Sequence, residues 1–274
     1  MKNFNFTRFA HVLRWMLSER KELYTFLALG FFIIIFPTLV MPFINGVFSR
    51  DYYDMSCTEM SSDFMIATSI CYYITCGAIL TKYLGDKRRR ITTFMLPASR
   101  LEKFAGRYLH TIVTLPLAIA VGFIIGDLLQ MGVYQATFGF CQSSFAKFVT
   151  VVAESFPRLS LAFGDTLPGF IILFWFPHSL FLLAGTFFRR QSWILSCILL
   201  FFTGMAVLVG GSYLAKYILD TLYGDGVYSV GIITTPWATA LYTLAFLALI
   251  AFNYWAAFRI YSRMQAINNK FFNF

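Results

Sequence analysis

Six long apolar stretches, separated by shorter polar segments, dominate the hydrophobic pattern of this chain. They cover residues 23–48, 64–84, 108–131, 168–188, 192–214 and 236–258. Each exceeds the ~20 residues that an α-helix needs to cross the ~30 Å hydrocarbon core of a bilayer. Lys82 and Asp127 are the only Asp, Glu, Lys or Arg residues within them, and each lies close to an end. Because a charge at a helix centre costs ~2.5–3.5 kcal/mol on insertion scales, the pattern predicts an all-α polytopic membrane protein with six transmembrane helices.

Residues 7–21, ahead of the first span, show apolar residues at helical spacing. One face carries Phe9, Val12, Leu13, Met16 and Leu17, and the opposite face carries Arg8, His11, Arg14, Ser18 and Lys21. The pattern predicts an amphipathic helix with Thr7 as its N-cap, lying in the headgroup plane. The alternative is an extension packed on the rest of the protein.

Two further segments between the spans have an apolar content that argues against simple loops. Residues 132–167 mix aromatic and polar side chains, which predicts an ordered segment resting at the membrane surface. In residues 210–226 a helical pattern is bounded by glycines, which predicts a short interfacial or re-entrant helix before the sixth span. Little else lies outside the spans, so residues 1–274 are expected to form one membrane domain.

The positive charges are distributed unevenly along the chain. The net charge is +9, and 18 of the 22 basic residues lie in the amino-terminal segment, the second and fourth connections and the tail, if Lys82 at the end of the second span is counted with the connection that follows it. These segments share one side of a six-span topology, which by the positive-inside rule is the cytoplasm. We therefore expect both termini in the cytoplasm, the plasma (inner) membrane as location, and lipid headgroups as the partners of the basic residues. This distribution argues against nucleic-acid binding. The first span is expected to remain as an anchor and not to be cleaved as a signal peptide.

No common catalytic motif is present in the chain. The sequence has no G-x-x-x-x-G-K-[ST], no H-E-x-x-H and no G-x-S-x-G. We therefore expect a chain that is not itself an enzyme, with no cofactor or metal of its own. The five cysteines form no framework, and a disulfide between Cys57 and Cys141 is left open.

Asp127 and His178 are the polar side chains within the spans that raise a functional question. Intramembrane acids are functional by default, but Asp127 lies close enough to the span end to reach the interface. His178 lies near the middle of the fourth span, where a histidine often joins two helices by a hydrogen bond. A structural role is favoured for both residues.

The second connection, residues 85–107, reads GDKRRRITTFMLPASRLEKFAGR. Its basic run, Lys87–Arg90, is explained by orientation and lipid contact. Pro97 is expected in the first turn of a helix, followed by an apolar stripe that continues into the third span. Phe94–Leu96 is an apolar step in a charged loop, a pattern that suits docking into a groove of a partner.

The stretch TTFMLPASRLEKFAGRYL, residues 92–109, resembles the corresponding loop of type-2 ATP-binding-cassette exporter permeases. In that family an LP-[small]-S-R-x-E segment precedes a long third helix. The amino-terminal helix, the six spans and a broken element before the last span resemble the family layout as well. The outward segment 132–167 is longer than the corresponding segment expected for the family.

The resemblance implies a permease half that pairs with a second copy, as a homodimer, or with a related chain. A separate ATPase subunit would bind ATP and drive it from the cytoplasm. Residues 7–21 would be the connecting helix and 210–226 the outward re-entrant element. The substrate would be amphiphilic: a lipid-linked molecule, a drug or a peptide. The ATPase-coupling segment would consist of Thr92, Thr93, Phe94, Met95, Leu96, Pro97, Ser99, Arg100, Leu101 and Glu102.

Within that segment the resemblance assigns Leu96 and Pro97 to the turn, and Ser99, Arg100 and Glu102 to polar contacts with the ATPase. Two other classes of function stay open. One is a non-transporting six-span scaffold, sensor, or immunity or assembly factor, and the other is an intramembrane enzyme. The enzyme is the least favoured, because such enzymes need paired acids, a catalytic Ser-His pair or metal ligands within the spans, and none of these is evident.

Overall fold

The computed structural model describes residues 4–18, 20–40, 43, 46, 58–82, 87–139, 142–162, 174–188, 194–205, 209, 213 and 236–264. The regular elements in these ranges are helices, so the all-α prediction is confirmed for them. In chain order they are α1 (Phe6–Leu17), α2 (Arg20–Val40), α3 (Thr58–Lys82), α4 (Lys87–Met95), α5 (Arg100–Phe138), α6 (Ser144–Ala162), α7 (Phe176–Phe187), α8 (Ile194–Met205) and α9 (Pro236–Arg263). α2 ends in a π-helical segment, Phe36–Val40, and α5 contains another, His110–Thr114.

Four of the described helices, α2, α3, α5 and α9, are long and apolar enough to cross a membrane. They correspond to the first, second, third and sixth predicted spans. In the fourth and fifth, residues 168–188 and 192–214, the described helices α7 and α8 are shorter, and parts of both ranges lie outside the described residues. The predicted re-entrant segment 210–226, apart from Tyr213, and the pair Cys57 and Cys141 also lie outside them.

The first helix begins and ends earlier than the sequence pattern predicts. Asn5, and not Thr7, is its N-cap, because the Asn5 side chain accepts hydrogen bonds from the backbone N–H groups of Thr7 and Arg8. The helix stops at Leu17, where the Ser18 hydroxyl donates to the Trp15 carbonyl at 2.6 Å and competes with the helical pattern. The predicted helix 7–21 is therefore α1 plus the first two residues of α2.

The chain forms two compact units, residues 1–73 with 95–162 and residues 74–94 with 163–274. In the first unit, α2 and α5 touch backbone to backbone. A Cβ added to Gly30 would collide with the carbonyl oxygen of Ile119, and one added to Gly122 would collide with that of Leu27. Gly122 and Gly126 form a G-x-x-x-G motif, which allows close helix packing in membranes.

In the second unit, the end of α3 packs against α7 in the same way. A Cβ added to Gly77 would lie 2.6 Å from the Leu182 nitrogen, and one added to Gly185 would lie 2.6 Å from the Thr81 hydroxyl. α7 also contacts α9, where the Asn253 amide donates to the Ser179 hydroxyl at 3.0 Å. Small residues and interhelical hydrogen bonds thus join the helices of this unit as well.

Replacing Gly122 with alanine will lower the melting temperature of the detergent-solubilised chain, because the added methyl group collides with backbone atoms. Overpacking of this kind costs ~1–3 kcal/mol. Gly132→Ala on the same helix is the control, because its Cβ meets open space and alanine favours a helix over glycine by ~1 kcal/mol. Equal melting temperatures for the two variants would contradict the close contact between α2 and α5.

Candidate coupling segment

The predicted coupling segment, Thr92–Glu102, spans the end of α4, a bend at residues 96–98 and the first turn of α5. Pro97 lies in the bend, so the prediction that it occupies the first turn of a helix is wrong. Proline lacks an N–H and disfavours helical conformation in the residue before it, which is consistent with α4 ending at Met95. Ser99 is instead the N-cap, and α5 begins at Arg100.

A capping box fixes the start of α5. The Ser99 hydroxyl accepts a hydrogen bond from the Glu102 N–H at 3.2 Å, and the Glu102 carboxylate accepts one from the Ser99 N–H at 2.7 Å. Each side chain thereby satisfies a backbone donor that the first helical turn leaves without a partner. The S-x-x-E spacing of Ser99 and Glu102 is the sequence signal for this start.

The second oxygen of Glu102 binds the beginning of α1. It accepts hydrogen bonds from the Asn5 N–H at 2.8 Å and from Arg8 Nη2 at 3.0 Å. Glu102 is fully buried, so in this structure its carboxylate serves the chain itself and is not exposed for contact with an ATPase. The ATPase contact that the family resemblance assigns to Glu102 stays a prediction, and in the structure this carboxylate ties α1 to α5.

α1 also packs its apolar face on α5. Val12 and Met16 are buried, and both lie against Gly106, where an added Cβ would approach Val12 Cγ1 to 3.3 Å and Met16 Sδ to 3.7 Å. Part of the apolar stripe predicted for the headgroup plane is thus used inside the protein.

A second ionic contact joins α2 to α5 five residues beyond Glu102. Arg107 Nη2 lies 2.8 Å from each carboxylate oxygen of Glu22. His110, on the same side of α5 and fully buried, places Nε2 3.8 Å from that carboxylate. The sequence reading missed this cluster. Two features of the sequence could have indicated it. Arg107 and His110 have the i, i+3 spacing of one helix face, and Glu22 is an acid at the start of the first span.

The outer surface of the segment is apolar with one cation. Met95 and Leu101 are 76% and 46% exposed, and Pro97 and Arg100 are also exposed. We call these four residues the exposed patch. Of the others, Thr92 is exposed; Phe94, Leu96 and Ser99 are half-buried; and Thr93 and Glu102 are buried. The predicted apolar step at Phe94–Leu96 is therefore fully exposed only at Met95, while the Phe94 ring lies 6.0 Å from that of Tyr261.

The two intramembrane candidates both have partners within the chain. Asp127 is buried and accepts hydrogen bonds from the Ser143 hydroxyl at 2.6 Å and from the Ser144 N–H at 2.8 Å. His178 is buried with Nδ1 3.4 Å from Cys76 Sγ. These contacts are what a structural role requires. Within the described ranges, no three His, Cys, Asp or Glu side chains come together as a metal site.

Comparison with known proteins identifies no relative. No family model, no curated protein and no solved structure matches the chain.

Glu102→Gln will lower the melting temperature by several degrees and will expose α1 to protease. The substitution removes the charge that pairs with Arg8 and places an amide NH₂ where an oxygen accepts a backbone or guanidinium donor. Glu59→Gln is the matched control, because Glu59 is 55% exposed and pairs with the exposed Lys147, and such pairs contribute little. An unchanged protease pattern in Glu102→Gln would show that the carboxylate does not hold α1.

Proposed function

We propose that this chain is the membrane-spanning subunit of an ATP-driven exporter, moved by a separate ATP-binding-cassette ATPase that binds the exposed patch. The position of the patch at the beginning of α5 is the observation that carries the proposal. α5 has 39 residues, a length of about 58 Å at ~1.5 Å per residue. It exceeds the ~30 Å of hydrocarbon, so a displacement at the patch is carried across the bilayer by one helix.

The contacts around the patch support this role in coupling. Glu102 ties α1 to the first turn of α5, and Glu22 ties α2 to the next turns. A partner that pushes on Met95 and Leu101 therefore moves three helices together. In the proposed mechanism, closure of the ATPase shifts this group of helices and alternates the exposure of a path between two permease halves. The second half is a second copy of the chain or a related chain.

The proposed topology has six spans and places both termini in the cytoplasm. The proposed location is the plasma (inner) membrane. The excess of basic residues in the amino-terminal segment, the second and fourth connections and the tail supports this topology. In this topology α7 and α8 belong to the fourth and fifth spans, and α1 lies at the cytoplasmic surface as the connecting helix. Within the basic run Lys87–Arg90, the exposed Arg88 contacts anionic lipid headgroups, whereas Arg90 is buried in the protein.

The substrate class follows from the family resemblance alone. It is an amphiphilic molecule, such as a lipid-linked compound, a drug or a peptide, and the ATP belongs to the partner subunit. The competing function, a six-span scaffold, sensor, or immunity or assembly factor without transport, differs in requiring no ATPase.

Introducing aspartate at Met95 and Leu101 will abolish copurification of an ATPase in mild detergent. Both side chains are exposed, so the substitutions place charge on the docking surface without disturbing a core. Leu17→Asp is the control for an exposed leucine outside the patch, since Leu17 is 39% exposed. Arg100→Asp, in the patch, and Lys21→Asp, outside it, form a second pair of test and control. Both replace an exposed cation with an acid. An ATPase that stays bound to the double variant would place its docking site elsewhere. Failure to recover any ATPase with the parent chain would favour the scaffold.

The orientation is tested by labelling introduced cysteines with a membrane-impermeant maleimide. We expect Glu154→Cys on α6 to react in intact cells and Met95→Cys to react only after permeabilisation, because the first lies on the outward side and the second on the cytoplasmic side of the proposed topology. Both positions are exposed in the structure, and the parent chain supplies the background of its native cysteines. Reaction of Met95→Cys from outside would reverse the topology.

A further inference from the structure

The chain folds back after α5 and begins α6 beside a turn of α5 that belongs to the apolar stretch 108–131. From Asp127, α5 continues 11 residues to Phe138, about 16 Å along its axis. It ends at Gly139, whose φ of 70° is in the left-handed region typical of a helix C-terminus. Ser143 and Ser144 nevertheless contact the Asp127 carboxylate. The first residue of α6 therefore lies at the level of Asp127, near the end of the apolar stretch.

Polar contacts with two neighbouring helices hold the start of α6 in this position. Besides its bond to Asp127, Ser144 is buried and lies 2.8 Å from Gln130 Nε2 on α5. The Thr58 hydroxyl of α3 lies 3.3 Å from Gln142 Oε1, and Lys147 lies 3.2 Å from Glu59. The depth of the start of α6 along α5 is thus defined by several contacts.

Beyond this fixed start, α6 presents an apolar stripe that the described residues cover only in part. Phe145, Phe148, Val149 and Val152 follow the i, i+3, i+4, i+7 pattern of one helix face. Val149 and Val152 are 50% and 40% exposed, and the rings of Phe145 and Phe148 lie 5.9 Å apart and half-buried. The opposite face carries the exposed polar residues Lys147, Thr150 and Glu154.

We propose that α6 lies in the lipid interface of the bilayer that α5 crosses, with the stripe among the acyl chains and Lys147, Thr150 and Glu154 toward water. The depth of its start selects lipid as the occupant. Because Ser144 lies beside Asp127, the apolar medium nearest to residues 145–152 is the hydrocarbon around α5. Burying apolar surface there contributes ~25 cal/mol per Å², as in other interfacial helices. The proposal requires that α5 spans a membrane and is independent of the exporter role.

The test places an environment-sensitive fluorophore on cysteines introduced at Val149 and, as a matched control on the polar face, Thr150. The full chain is reconstituted in phosphatidylcholine vesicles with and without lipid that carries a spin label near the top of its acyl chains. We expect blue-shifted emission and at least about twofold stronger quenching at Val149→Cys than at Thr150→Cys, and the same result at Val152→Cys. The labelled parent chain gives the background of the native cysteines.

Two results would overturn the proposal. Equal, water-like emission at Val149→Cys and Thr150→Cys would show that the helix is held away from the bilayer. Blue-shifted emission at Val149→Cys without quenching by the spin-labelled lipid would show that protein, such as a second copy of the chain, covers the stripe. Vesicles prepared over a range of protein-to-lipid ratios separate that second copy from a contact within one chain.

Discussion

Close backbone contact between α2 and α5 is the constraint on which the first unit of this protein depends. In a bilayer, burying an apolar side chain against another helix gains little over burying it in lipid, so helices associate through tight packing and hydrogen bonds. Gly30 and Gly122 each bring one backbone against a carbonyl group of the other helix. A larger residue at either position would separate the two helices and weaken the contacts next to them.

Polar residues near the beginning of α5 and near the end of its apolar stretch then attach other elements to this pair. Glu22 and Glu102 join α2 and α1 to its beginning, and Asp127 joins the start of α6 to its far side. Each of these carboxylates is matched by N–H or hydroxyl donors, as buried polar groups must be where water is excluded. α5 therefore connects the helices beside the exposed patch with α6.

The burial of Glu102 changes the surface chemistry that the proposed ATPase would have to match. With Glu102 buried and bonded to α1, the surface at the start of α5 is apolar with a positive charge from Arg100, and carries no acid from this turn. A partner groove that matches Met95 and Leu101 should be apolar with an acidic rim. Because Arg100 and Leu101 of the patch lie in the first turn of a continuous 39-residue helix, contact there would, in the proposed mechanism, act directly on that helix.

The sequence by itself determined the helical class and the four helices that are long and apolar enough to cross a membrane, because uninterrupted apolar length is a local property that a bilayer selects regardless of packing. It also contained the S-x-x-E start of α5. Only the tertiary structure decided that Glu102 meets Asn5, that Arg107 meets Glu22, and that Ser144 returns to Asp127. The two residues of each pair lie 17 to 97 residues apart in the chain. The pairing of Arg107 with Glu22 depends on the close approach of α2 and α5 at Gly30 and Gly122, a contact between segments far apart in the chain.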